Sequence, residues 1–333
     1  MSDHRNVRHS WRMRCWLVRM EVKAHLAAGV VKAIAGLARW IPQGWLWVRL
    51  PRLLRGLPAS WRGRDYSLCQ QNLTALGFEP ALATALSCRF SALQWQRAVN
   101  ERRYPREAAA LRRWIKGVAW RDPYAALDPG SPSLYLLTHT GEYWMAVASL
   151  MARHSQPTRF VIPIWNFADP FTRQALRALE GLGHRVDVLD VAAPTTALAM
   201  ARALKQGDRV MLFCDLPVSL GAVRFGEPLP GRLFDRPAQF VRGPLFLAAK
   251  MGYPAVLIGH RACLGGKGEV QVLEHLPVAP LAVMQVRWMQ GLERHLSAAP
   301  EQWLYLPRLE AFYHQQRSTA GMQGLSIPRL GAW

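Results

Sequence analysis

The chain has 333 residues, of which 50% are hydrophobic and 19% charged. That is ample for a sizeable core and far from the composition of a disordered protein. Forty-two Lys and Arg stand against 22 Asp and Glu, a formal charge of +20, which suits an acidic partner: nucleic acid, an anionic membrane or an acidic protein. The five cysteines (Cys15, Cys69, Cys88, Cys214, Cys263) form no CxxC pair and no metal spacing, which argues against a disulfide framework and for a reducing compartment.

Residues 1–64 hold 13 Lys and Arg against two acids, Asp3 and Glu21, and six tryptophans: Trp11, Trp16, Trp40, Trp45, Trp47 and Trp61. Basic residues interleaved with Trp and Leu describe a helical element that lies on a membrane surface. Each basic residue near an anionic leaflet contributes about 1 kcal/mol. The plainer alternative is that these tryptophans pack a helical subdomain. The longest apolar run, Leu26 to Ile41, is broken by Lys32 and Arg39 and is too short for a span, which needs about 20 residues. Arginines recur through any would-be signal-peptide core. The expectation is peripheral or monotopic attachment.

Residues 65–127 read as a helical subdomain. Asp65 to Phe78 and Pro80 to Val99 carry apolar residues at three and four spacing, the period of a helix with one buried face. Arg102-Arg103-Tyr104-Pro105-Arg106 interrupts the pattern, and Lys116 to Ala126 leads into Asp128-Pro129-Gly130-Ser131-Pro132, a strong loop signal. The main boundary is expected there, with residues 128–333 forming an α/β core.

Beyond it strands and helices alternate. Strand-like runs are Leu134–Thr138, Phe160–Ile164, Val186–Val191, Val210–Phe213, Ala255–Gly259 and Val270–Leu273. Helix-like runs are Tyr143–Arg153, Pro170–Leu182, Thr196–Lys205, Ala238–Met251 and Val283–Leu296. This order predicts an α/β fold: a mostly parallel central sheet flanked by helices, with a helical basic N-terminal extension. Gly265-Gly266-Lys267-Gly268 lacks phosphate-loop spacing and reads as a hairpin turn.

Two strand ends carry chemistry. The first runs into His139-Thr140-Gly141-Glu142 just before a helix. In open α/β sheets, ligands collect where strands hand over to helices, and a histidine beside a carboxylate serves as a general base near neutral pH. The second strand ends on Cys214-Asp215. Two carboxylates therefore compete to support His139. Glu142 lies at i+3, on the same face if the segment is helical; otherwise Asp215 supports the ring and Glu142 is a solvated helix-start acid. Cys214, inside a strand, reads as a buried inert thiol. No His, Cys or acid spacing suggests a metal site.

Taken together, His139–Trp144, Asp215-Leu216, Leu233-Phe234-Asp235-Arg236-Pro237-Ala238, Gly243-Pro244 and Pro300-Glu301-Gln302-Trp303-Leu304-Tyr305 follow one another in a familiar order. Over about residues 65 to 315 the chain resembles the late acyltransferases of lipid A biosynthesis, a lauroyl/myristoyl transferase family of lysophospholipid acyltransferase type. Gln71-Asn72-Leu73 resembles that family's N-terminal Asn-Leu element. One departure stands out: where the family places Asp or Glu five positions after His, this chain has Trp144, and Glu142 occupies the place usually held by Asn.

The resemblance implies acyl transfer from a thioester, on acyl carrier protein or coenzyme A, to a hydroxyl or amine of a lipid-like acceptor. His139 would be the base, Glu142 or Asp215 its carboxylate. The backbone N–H groups after Gly141, or the guanidinium of Arg236, would receive the oxyanion. The cytoplasmic face of a bacterial inner membrane is the implied location. The altered histidine block keeps open a non-catalytic lipid- or carrier-binding protein on the same fold. A nucleic-acid binder fits the charge but not the Trp-rich setting, and no RNP, helix-turn-helix or zinc signature is present.

Overall fold

The computed structural model describes residues 43–58, 62–103, 108–127, 134–164, 176, 178–191, 193–221 and 223–313. Expectations for residues 1–42, and for most of the Pro170–Leu182 helix, lie outside them. Within that span the chain is α/β, as expected, around a seven-stranded, mostly parallel sheet.

Four helices come first: α1 (Gln43–Gly56), α2 (Arg64–Ala75), α3 (Pro80–Arg103) and α4 (Ala108–Ile115). They are followed by β1 (Ala119–Arg121), β2 (Leu134–Leu137), α5 (Tyr143–Ala152), β3 (Arg159–Ile164), β4 (Arg185–Asp190), α6 (Thr196–Lys205) and β5 (Arg209–Phe213). Two hairpins succeed β5: β6 (Ser219–Leu220) with β7 (Val223–Arg224), and β8 (Pro228–Leu233) with β9 (Arg236–Val241). The chain closes with α7 (Gly243–Met251), β10 (Ala255–Arg261), β11 (Glu269–Leu276), α8 (Leu281–Ala298), short 3-10 turns and α9 (Glu310–Tyr313).

The sheet order is β1-β11-β10-β2-β5-β3-β4. All neighbouring pairs are parallel except β10 with β11. Those two are joined by the predicted glycine hairpin, where Gly265 and Gly268 adopt φ of +74° and +73°.

Strand β2 is buried along its whole length, and its side chains alternate between two cores. Leu134 and Leu136 join Val210, Leu212, Leu257 and Trp288 on one face. Tyr135 and Leu137 join Ile162, Val256, Ile258 and the α5 residues Met145 and Leu150 on the other. This is the period-two logic of a strand covered on both faces. It gives three layers, with α4 and α5 on one side and α6, α7 and α8 on the other.

Two sequence expectations are corrected. The predicted helix Ala238–Met251 is strand up to Val241 and helix only from Gly243. Pro244 fits the first helical turn, where its missing N–H leaves no bond unmade, whereas Arg236–Val241 completes a ladder with β8. Likewise Lys116 to Ala126 holds no helix: the preceding helix ends at Ile115, and β1 adds to the sheet edge beside β11. The expected helical subdomain packs on the core. Asn72 Nδ2 donates to the Leu306 carbonyl at 2.7 Å, and Arg308 pairs with Asp65 at 3.0 Å. Helix α1 docks on α3 through Trp47, which is buried with Val99.

Candidate active site

Strands β2 and β5 are parallel neighbours with Leu137 opposite Phe213. Two residues past each lie His139 and Asp215. Equal overshoot from a shared register brings the two side chains together, although 76 positions separate them. The His139 Nδ1–H faces Asp215 Oδ1 at 2.7 Å, and the His139 backbone N–H donates to Asp215 Oδ2, also at 2.7 Å. Asp215 is fully buried and takes a third bond from the indole Nε1–H of Trp303 at 2.9 Å. A buried carboxylate with three donors is a satisfied one.

The imidazole keeps 13% of its side chain exposed. It stacks on Phe213, centroids 4.2 Å apart, and meets the edges of Tyr143 and Tyr305 at 5.1 Å each. With Nδ1 committed to the carboxylate, Nε2 is the ring nitrogen left to accept a proton. No hydrogen bond from Nε2 is made among the described residues.

The loop that follows is strapped to the C-terminal segment of residues 302–304. His139 O accepts from Leu304 N at 2.9 Å, Thr140 bridges Trp303, and Gly141 N–H donates to Gln302 O at 2.8 Å. Gly141 has φ +55°, and a Cβ there would lie 2.6 Å from His260 O and 2.7 Å from Ala262 N. Only glycine combines that backbone sign with that contact.

Glu142, one of the two candidate supports for His139, is thereby turned away from it. Its carboxylate takes N–H bonds from Gln96 at 2.7 Å and from Asn100 at 2.7 and 2.8 Å, both on α3. The residue is buried, so it is not a solvated helix-start acid either. Burial pushes its carboxyl up to about 7, against the pull of those amides.

Some of the expected oxyanion donors are engaged elsewhere. Gly141 N–H is spent on Gln302, and Glu142 N–H on His260 Nδ1 at 3.1 Å. Arg236 is exposed on β9, with its guanidinium 4.1 Å over the Tyr313 ring, and no contact joins it to His139 or Asp215. Cys214 is the buried inert thiol expected, pushed well up by burial and held against Trp288 Nε1. Two further histidines back the loop. His295 Nε2 lies 3.0 Å from Thr140 Oγ1, and burial holds His260 and His295 down to about 4 and 3, so both stay neutral at physiological pH.

No protein-family model matches this chain, and no curated protein does. The site therefore stands on its own geometry. Trp303, Gln96 and Asn100 are the members that sequence reasoning left without a role. For Trp303 a signal existed, in the Pro300–Tyr305 stretch that carries part of the resemblance. For the two amides the only signal was a pair of polar residues four apart, on what proves to be the buried face of α3. Among the described residues no group of His, Cys, Asp or Glu is arranged to hold a metal ion, and no helix is long and apolar enough to cross a membrane.

Proposed function

We propose that this chain is a membrane-associated acyltransferase. It moves a fatty acyl group from a thioester, on acyl carrier protein or coenzyme A, to a hydroxyl or amine of a lipid-like acceptor. The observation that carries the reading is the His139–Asp215 pair at adjacent parallel strand ends, with one imidazole nitrogen anchored and the other open in an aromatic surround.

In the proposed reaction the acceptor's oxygen or nitrogen attacks the thioester carbonyl carbon while His139 Nε2 takes its proton. A C–O or C–N bond forms, and the carbonyl oxygen carries the negative charge of the tetrahedral species. Collapse breaks the C–S bond, and the imidazolium returns its proton to the departing thiolate. Asp215 is a positioning residue: it fixes the tautomer and stabilises the imidazolium. General-base catalysis of this kind contributes about 10²–10⁴-fold.

Helix α1 supports the membrane part of the reading. It contains no acid, and Trp45, Val48 and Leu53 are exposed among exposed Arg49, Arg52 and Arg55. Positions 45, 48, 49 and 52 fall on one stripe, opposite the buried Trp47. An apolar and cationic stripe suits the interface of an anionic bilayer, and the cytoplasmic face of a bacterial inner membrane would supply both that surface and the carrier-bound donor.

Trp144, at the position where the resembling family keeps a carboxylate, favours one second reading: a lipid- or carrier-binding protein without catalysis. Mass-spectrometric assay of acyl transfer by wild type and His139→Ala separates the two. Transfer that falls by about 10²–10⁴-fold in the variant is the expected result. Unchanged transfer removes the mechanism, and its absence from the wild type favours the binder.

A further inference from the structure

We infer that Arg97 forms an anion site beside the imidazole, and that it takes the phosphate or carboxylate of the acyl acceptor. The acceptor half of this inference rests on the acyltransferase reading; the anion site does not.

Helix α3 turns three successive polar positions toward the site. Gln96 and Asn100 hold Glu142, and Arg97 lies between them in sequence. The Arg97 side chain is only 13% exposed. Its guanidinium lies 5.0 Å over the ring of Tyr143, and that ring meets His139 at 5.1 Å. Its Nη1 is buried and has no hydrogen-bond partner among the described residues. The ion pair it does make among the described residues runs from Nε to Glu101 Oε1 at 3.4 Å, one turn further along α3.

This is an expensive way to fill space. A buried donor without an acceptor is destabilising, and more so when charged. A methionine would pack the same volume without that cost. Glu101 and the nearby buried Glu142 together offset part of the charge and leave Nη1 as the donor unmatched among the described residues. With one face of the guanidinium on Tyr143, what remains is its planar edge, the part that matches a phosphate or carboxylate. Arg236, the cation named from sequence as one of two alternatives, has no such character: it is exposed and stacked on Tyr313.

Distance selects the acceptor over the donor. In a carrier or coenzyme A thioester, the phosphate sits a full pantetheine length from the reacting carbon. Only two ring contacts separate Arg97 from His139. An anion a few bonds from the attacking hydroxyl or amine reaches Arg97 while that nucleophile lies at Nε2.

Two measurements on the full chain test this. Inorganic phosphate is titrated calorimetrically into wild type, Arg97→Gln, Arg97→Lys and Arg202→Gln, the last an exposed cation on α6 that controls for the overall charge. The expected result is a site shared by wild type and Arg202→Gln, weakened about tenfold or more in Arg97→Gln and partly kept in Arg97→Lys. Equal phosphate binding by wild type and both Arg97 variants overturns the anion site. Acyl transfer from decanoyl coenzyme A is then compared for lysophosphatidic acid and monoacylglycerol, which differ in the phosphate. A lower KM for the phosphorylated acceptor in wild type, lost in Arg97→Gln or Arg97→Lys, is expected. Indifference of the wild type to the phosphate overturns the acceptor assignment. Should the wild type transfer to neither, the acyltransferase reading and the acceptor half fall together, while the phosphate titration still decides the anion site.

Discussion

Asp215 and Glu142 are both buried carboxylates held by N–H donors, yet they sit in two differently built regions. Asp215 lies at a strand end and faces an imidazole, an indole and a backbone amide. Glu142 lies at the head of α5 and, among the described residues, its carboxylate takes its hydrogen bonds from side-chain amides of α3. The carboxylate three positions from the histidine is not its partner, and the one 76 positions away is. Register explains this. Parallel pairing of Leu137 with Phe213 sets His139 and Asp215 side by side, whereas the left-handed turn at Gly141 swings Glu142 toward α3. Proximity along the chain is a weaker guide than strand order in an α/β site.

The largest expected effect separates the two carboxylates directly. Asp215→Asn removes the group that fixes the ring's tautomer, and acyl transfer is expected to fall about 10²–10⁴-fold, whereas Glu142→Gln changes the rate by only a few-fold. Equal losses in a steady-state assay would erase the distinction. Next comes Gly141→Ala. The added Cβ meets the His260 carbonyl, and positive φ adds strain, so denaturant unfolding should show a loss of about 3 kcal/mol.

Smaller again is Trp303→Phe, which removes one donor from Asp215 and keeps the ring. About 2 kcal/mol of stability and a roughly tenfold slower transfer are expected, the value of one hydrogen bond to a charged group. A variant with wild-type rate would reduce Trp303 to packing.

The smallest effect per unit of its variable is a slope with pH. Glu142 has its carboxyl raised to about 7 in the folded chain, above the ordinary carboxylate value it regains on unfolding. Between those values the folded state binds the extra proton, so this group makes stability fall as pH rises, by at most ~1.4 kcal/mol per pH unit. His260 and His295, held low by burial, act the other way: their contribution is lost as pH falls below the free histidine value. The difference between Glu142→Gln and wild type isolates the glutamate. That difference should favour the variant increasingly from pH 5 to pH 7. A flat difference would show that Glu142 titrates normally.

The sheet was largely legible in the sequence because its strands are apolar runs bounded by glycine, proline or charge, and a strand covered on both faces needs no alternation to be seen. Thr196–Lys205 was legible for the opposite reason, a clear helical period. The β8–β9 hairpin was not. Pro228, Pro230 and Gly231 look like loop, and its two-residue turn uses Phe234 and Asp235 at positive φ, where glycine or asparagine would have announced it. His139 could be read as a site residue from its place at a strand end. Its partner could not be chosen, because the choice depends on which strand lies beside β2, and that is set by the crossovers rather than by any local pattern. Arg97 was invisible because a single cation on a long helix carries no signal until its surroundings are known.

The proposed base depends on which nitrogen of His139 carries the proton. Nitrogen-15 NMR of the histidine-labelled chain, with His139 assigned through His139→Gln, reads this directly. The predicted spectrum of the neutral ring has the proton on Nδ1, held by Asp215, and an unprotonated Nε2, with the assignment lost or reversed in Asp215→Asn. A neutral ring protonated on Nε2 in the wild type, indifferent to Asp215→Asn, would contradict the proposed base.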